Sequence, residues 1–135
     1  MKRAIRGSWI ALRACALCAA LLASNPGAAS AHAIILESEP TAGATLGEPP
    51  ARIYLRFNSK LEKRLSSVRL LATDGRPVPL PVMSAAGESP DRIVLPLAKL
   101  RPGAYVVRYK VLAVDGHITE GALRFSVLEP PAGSK

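Results

Sequence analysis

Three residues have types and spacing suited to metal chemistry. The chain contains two histidines, His32 and His117. His32 directly follows Ala29-Ser30-Ala31, an Ala-x-Ala run of the kind at which signal peptidase cuts, so processing there would make it the first residue of the mature chain. A terminal histidine offers two nitrogens from one residue, the α-amine and Nδ1, which close a chelate ring around a metal. No internal histidine has that pair. If cleavage falls a residue or two away, His32 is instead an ordinary exposed side chain near a terminus. His117 closes the run Val114-Asp115-Gly116-His117, in which Asp115 and His117 point to the same side if the backbone is extended. Asp-Gly between two apolar runs is equally a hairpin signal, and on that reading His117 simply follows a turn. Taken together, an amine, two imidazoles and a carboxylate make a set of three nitrogens and one oxygen. Such a set in a tetragonal plane suits Cu(II), which also heads the divalent affinity order, whereas zinc more often takes four ligands in a tetrahedron. The expectation is one Cu(II) per chain, held by His32, Asp115 and His117. With the amine titrating near about 8 and imidazole near about 6.5, binding displaces protons and weakens as pH falls.

The elements that must position these residues lie after residue 31. The opening segment carries Lys2, Arg3 and Arg6, then an apolar run from Ser8 to Ala23 broken by Arg13, then the small residues before His32. This charged, apolar and small-residue order is that of a cleaved signal peptide, and Arg13 leaves an apolar core too short for the roughly 20 residues that span a bilayer. Residues 1–31 are therefore expected to be removed on export to the periplasm. From His32 onward, short segments rich in β-branched and aromatic residues alternate with Pro, Gly and Asp signals, the pattern of an all-β sandwich or barrel. Candidate strands are 33–37, 52–57, 67–72, 78–82, 92–96, 103–113 and 121–128. Ile53, Leu55 and Phe57 alternate with Tyr54 and Arg56, and Leu123, Phe125 and Val127 with Arg124 and Ser126, so one face of each is apolar. Leu61 and Leu65, four apart, suggest a single helical turn within 58–66. The expected fold is a seven-stranded immunoglobulin-like Greek-key sandwich over 32–128, with 129–135 a disordered tail.

Composition narrows the function classes. The full chain of 135 residues carries a formal charge of +8, but Lys2, Arg3, Arg6 and Arg13 leave with the signal peptide and the mature charge is +4. The remaining basic residues, such as Arg52, Arg56, Lys60, Lys63 and Arg64, are spread over strands and turns without aromatic interleaving, a solvated surface rather than a nucleic-acid footprint. Both cysteines, Cys15 and Cys18, lie in the removed segment. The mature chain thus has no disulfide, thiolate metal site or cysteine nucleophile.

Beyond these residue-level readings, the mature sequence resembles the periplasmic copper-resistance protein CopC family over nearly its whole length. The resemblance is carried by His32-Ala33 with Ser38-Glu39-Pro40-Thr41-Ala42-Gly43, by Pro50-Ala51-Arg52-Ile53-Tyr54-Leu55-Arg56-Phe57, by Gly103-Ala104-Tyr105, by Val114-Asp115-Gly116-His117 and by Gly121-Ala122-Leu123-Arg124-Phe125-Ser126-Val127. It implies a seven-stranded Greek-key β-barrel, a Cu(II) site at His32, Asp115 and His117, and a CopD-like membrane copper importer as partner. Two departures are visible. Asn58 and Ser59 stand where some members carry an acidic residue near the site. The stretch 78–87 holds a single methionine, Met83, where other members have a methionine-rich loop, so no dedicated Cu(I) site is expected, since a soft thioether site needs several sulfurs.

Three functions remain in play. The first is a monomeric copper carrier or buffer, without stable membrane insertion, acting in sequestration, resistance or delivery to an importer. A histidine-brace copper oxidase is the second; against it, Asp115 would occupy a position in the copper plane, and Tyr54, Tyr105 and Tyr109 make a poor carbohydrate platform. The third is a metal-free immunoglobulin-like interaction module, in which exposed edge strands form the working surface.

Overall fold

Alternation along the chain fixes which side of each strand is buried, and two sheets close on each other over the apolar sides. The computed structural model describes residues 32–83 and 88–130. Within them the strands are β1 (Ile35–Glu39), β2 (Ala44–Leu46), β3 (Arg52–Phe57), β4 (Ser67–Ala72), β5 (Pro77–Val78), β6 (Arg92–Pro96), β7 (Gly103–Leu112) and β8 (Ile118–Val127). One sheet has the order β1-β3-β6 and the other β2-β8-β7-β4-β5. The chain thus passes back and forth between the sheets. The expected all-β, two-sheet architecture is the one observed.

The core lies between the sheets. Ile53, Leu55 and Phe57 from β3, Ile93 and Leu95 from β6, Leu70 from β4, Val107 and Val111 from β7 and Phe125 from β8 are all fully buried, each at an inward position of its strand. Tyr105 stacks on Phe125 with ring centroids 5.4 Å apart, and its hydroxyl donates to the Arg101 carbonyl at 2.7 Å. A tyrosine bonded back to the backbone just upstream of its own strand is the corner device of immunoglobulin-like sandwiches.

The elements differ from the sequence reading in informative places. β2 falls where no candidate strand is expected, because three residues between Gly43 and Gly47 show no periodicity; it exists by pairing in parallel with β8. The candidate strand 78–82 shrinks to β5, since Pro79 and Pro81 have no N–H to give a ladder. β8 begins at Ile118 rather than Gly121, because its pairing with β7 runs to Leu112 opposite Ile118. The expected helical turn is a 3-10 turn at Lys63–Leu65, with Leu61 buried and Leu65 exposed. Lys63 departs from the solvated-surface reading: its side chain is buried and its Nζ lies 3.2 Å from Glu88. The expected signal peptide, residues 1–31, and residues 131–135 of the expected tail lie outside the described residues.

The outer side of the three-stranded sheet is a ladder of opposite charges. Arg52 pairs with Glu39 at 2.9 Å and Arg56 with Glu37 at 2.8 Å, the latter directly opposite in the β1–β3 register. The Arg56 hydrogen bond holds the Glu37 carboxyl below its ordinary range. A depressed folded pKa means that this contribution is present above the unfolded value and is lost as pH falls through the folded one. The pair lies at the surface, so the effect on stability is small. Carboxyl NMR titration should show Glu37 titrating below an ordinary glutamate, and returning upward in Arg56→Gln.

Candidate metal centre

Three chain segments meet at the end of the sandwich where β7 turns into β8. The connection is Ala113–His117. The Gly116 N–H donates to the Ala113 carbonyl and the Ala113 N–H to the His117 carbonyl, both at 2.9 Å, and Gly116 has φ of 92°. A tight turn closed by a residue in the left-handed region is the three-residue hairpin connection with a glycine bulge, and glycine takes that φ without steric cost. Asp115 sits inside the turn, where its Oδ1 accepts the His117 backbone N–H at 3.1 Å and lies 3.2 Å from His117 Nδ1. In sequence terms, a hairpin turn and a paired carboxylate and imidazole are competing accounts of this run. In the fold they are one object: the Asx-type turn is what brings the two side chains together, not strand alternation.

The second segment brings His32. Ala33 is buried, and its N–H donates to the Thr119 hydroxyl at 3.1 Å. Next along, the Ile34 N–H donates to Asn58 Oδ1 at 2.7 Å and the Ile34 carbonyl accepts the Asn58 N–H at 3.0 Å. These bonds fasten the segment on both sides, to β8 and to the end of β3. The His32 ring stands edge-on to the His117 ring, centroids 6.1 Å apart. The third segment, 58–62, closes the floor: the Val114 N–H donates to the Lys60 carbonyl at 3.0 Å and the Glu62 N–H to the Leu112 carbonyl at 2.8 Å.

All three expected residues are therefore neighbours, on an exposed surface. Among the described residues, no three His, Cys, Asp or Glu side chains converge into a closed ligand set. In the uncleaved chain, the His32 nitrogen is an amide bonded to Ala31, so the chelating pair of nitrogens exists only after processing. Electrostatics favour the ionised form of Asp115. The His117 backbone N–H, aided by the His117 ring, holds its carboxyl below the ordinary carboxylate range. Nδ1 of His117 lies beside the carboxylate, which leaves Nε2 on the far side of the ring.

Two residues that position this site escape a reading of the sequence. Asn58 stands out there only as a departure from an acidic residue, yet it clamps the N-terminal segment. Thr119 falls on the inward face of β8, among Leu123, Phe125 and Val127. A hydroxyl on an apolar face needs a partner, but Thr119 joins that face only because β8 starts at Ile118.

A family profile described as the CopC domain matches residues 35–128. The chain belongs to the CopC domain family. Protein YobA of Escherichia coli (strain K12) is 31% identical over 98 residues, covering 72% of this chain and 79% of the relative. Among solved structures, CopC from Methylosinus trichosporium OB3b superposes with a TM-score of 0.68 at 30% identity, covering 77% of this chain and 100% of that one. PcoC from Escherichia coli, described as a methionine-rich copper resistance protein, superposes with a TM-score of 0.61 at 28% identity, covering 72% and 99% of the two chains. CopC proteins are copper-binding resistance proteins rather than enzymes. The profile begins three residues after His32, so the CopC assignment does not lean on that histidine.

Proposed function

We propose that the mature protein, beginning at His32, is a periplasmic carrier or buffer that holds one Cu(II) ion through His32, Asp115 and His117. In this role it sequesters copper or passes it to a CopD-like membrane importer. The observation that carries the reading is the juxtaposition of the His32 and His117 rings, 6.1 Å apart, with Asp115 Oδ1 3.2 Å from His117 Nδ1. Membership of the CopC family and the signal-peptide pattern of residues 1–31 support copper as cargo and export as the route. No helix among the described residues is long and apolar enough to cross a membrane. The only methionine of the mature chain, Met83, packs against the core, unlike the thioether-rich surface that a soft Cu(I) site requires.

The test is a titration of the protein starting at His32 with Cu(II) against a competing chelator, followed by electron paramagnetic resonance. Binding should be one-to-one with a tetragonal, nitrogen-rich spectrum. His117→Ala should weaken it by at least about tenfold, since even an outer-shell partner of a metal ligand is worth about 10–100-fold. Affinity should fall as pH is lowered, because the ligands must be deprotonated to bind and protons compete with the metal. Weak binding by wild type that His117→Ala leaves unchanged would sink this reading in favour of a metal-free interaction module; tight binding unchanged in His117→Ala would remove His117 from the ligand set.

A further inference from the structure

The outer faces of the two sheets handle charge in opposite ways. On the three-stranded sheet, both arginines of β3 are matched by glutamates of β1. On the five-stranded sheet, Arg69 of β4 stands directly opposite Arg108 of β7. Arg108 in turn faces Ala122 of β8, which places Arg124, two residues on, at the diagonal position. All three arginines are exposed, and none has an ion pair or side-chain hydrogen bond among the described residues. Directly opposed like charges destabilise a sheet, so the fold tolerates this stripe rather than gaining from it. The one acidic residue beside it, Glu120, is taken by Lys110 at 2.7 Å.

An open depression accompanies the stripe. It is lined by Arg69 and Arg108, by the paired Lys110 and Glu120, and by Ser67, Tyr109, Gly121 and Ala122. Guanidinium groups present donors in a planar fork that matches a carboxylate with two parallel hydrogen bonds. Ser67 and Ala122, on the same outer face as the arginines, leave room for a side chain to enter between them. Of the large exposed apolar residues, Ile118 is the one on this face, and it lies at the turn end, beyond the Lys110–Glu120 pair. Beside the stripe only Leu71 and Val106 are apolar, and both are half-buried; with no exposed large apolar side chain to insert into a bilayer, the stripe favours a polypeptide over a lipid surface.

We propose that this face docks an acidic segment of a partner protein, its carboxylates seated on Arg69, Arg108 and Arg124. The surface runs along the side of the sandwich, whereas the candidate copper residues cluster at the β7–β8 turn, so a docked partner leaves that turn exposed. The inference goes beyond the copper reading and does not depend on it.

The probe is a labelled oligoglutamate peptide, titrated by fluorescence anisotropy against the protein starting at His32 at low and moderate salt. Wild type should bind, and more weakly as salt rises. The double variant Arg69→Ser/Arg108→Ser should lose at least about tenfold in affinity, from the loss of two charge-assisted contacts. A charge-matched control, Lys99→Ser/Arg101→Ser, should stay within about twofold. Equal losses in both doubles would mean that net charge alone acts and would overturn the proposal. So would binding to phosphatidylglycerol vesicles that depends on Arg69 and Arg108 in the absence of peptide binding. The denaturation midpoint of Arg69→Ser/Arg108→Ser should match or exceed wild type; a clear drop would make the arginines structural and equally overturn it.

Discussion

A single alanine left in front of His32 should weaken Cu(II) binding by more than about a hundredfold, because losing a direct ligand costs more than losing an outer-shell partner, itself worth about 10–100-fold. The effect follows from position. Ala33 and Ile34 are fastened through their own backbone N–H groups to Thr119 and Asn58, so the point at which His32 leaves the sandwich is set by the residues after it. Retaining Ala31 converts the α-amine into an amide and leaves the imidazole where it was. The complementary variant, His32→Gly with a free terminus, keeps the amine and removes the imidazole. Both should bind weakly with altered copper spectra, and competition titration with electron paramagnetic resonance separates them. If the alanine-extended protein matches wild type, the amine is not a ligand. The site would then reduce to imidazoles and Asp115.

The candidate residues were easy to single out in the sequence because their chemistry is rare there. Two histidines in the whole chain, one abutting a cleavage pattern and one beside an aspartate, leave few ways to assemble a nitrogen-rich set. The means of assembly was not legible. Whether Asp115 and His117 come together through an extended strand or a turn depends on the backbone of Gly116, and its φ of 92° is a property of the folded hairpin. The clamps at Asn58 and Thr119 span 24 and 86 residues of sequence. No local pattern encodes a bond of that range.

The fold divides in the same way. Strands with two-residue alternation, β3 and the latter part of β8, were readable because one face must be apolar. β2 was not, since its three residues are strand only by virtue of the neighbour they pair with. Lys63 reads as surface in the sequence because lysine is almost never buried unless paired, and its partner Glu88 is 25 residues away.

The second large effect is expected at Gly121, where the fold and the site share a contact. Gly121 lies opposite Tyr109 in the β7–β8 ladder, and the Tyr109 ring folds over it, so that a Cβ at 121 would overlap the phenol oxygen and Cζ. In an open strand, replacing glycine with a β-branched residue is favourable, by up to about 1 kcal/mol. Here the valine side chain of Gly121→Val would have to displace a ring that is itself packed edge-on against the buried Phe57, centroids 5.7 Å apart. Overpacking of this kind costs about 1–3 kcal/mol, which outweighs the propensity gain. For a domain of this size, each kcal/mol lowers Tm by about 4–8 °C, so Gly121→Val should melt several degrees below wild type. Removing the obstacle reverses the sign: in a Tyr109→Ala background, Gly121→Val should be neutral or stabilising, a coupling that a double-mutant cycle reads directly. A Gly121→Val protein that melts at or above wild type would mean that Tyr109 swings aside freely. The consequence for the site follows from the chain itself. Phe57 precedes Asn58, which clamps Ile34, and Gly121 lies two residues from Thr119, which holds Ala33. A displaced Tyr109 therefore loosens both anchors of His32, and Gly121→Val should weaken Cu(II) binding through positioning alone, with every proposed ligand still in place.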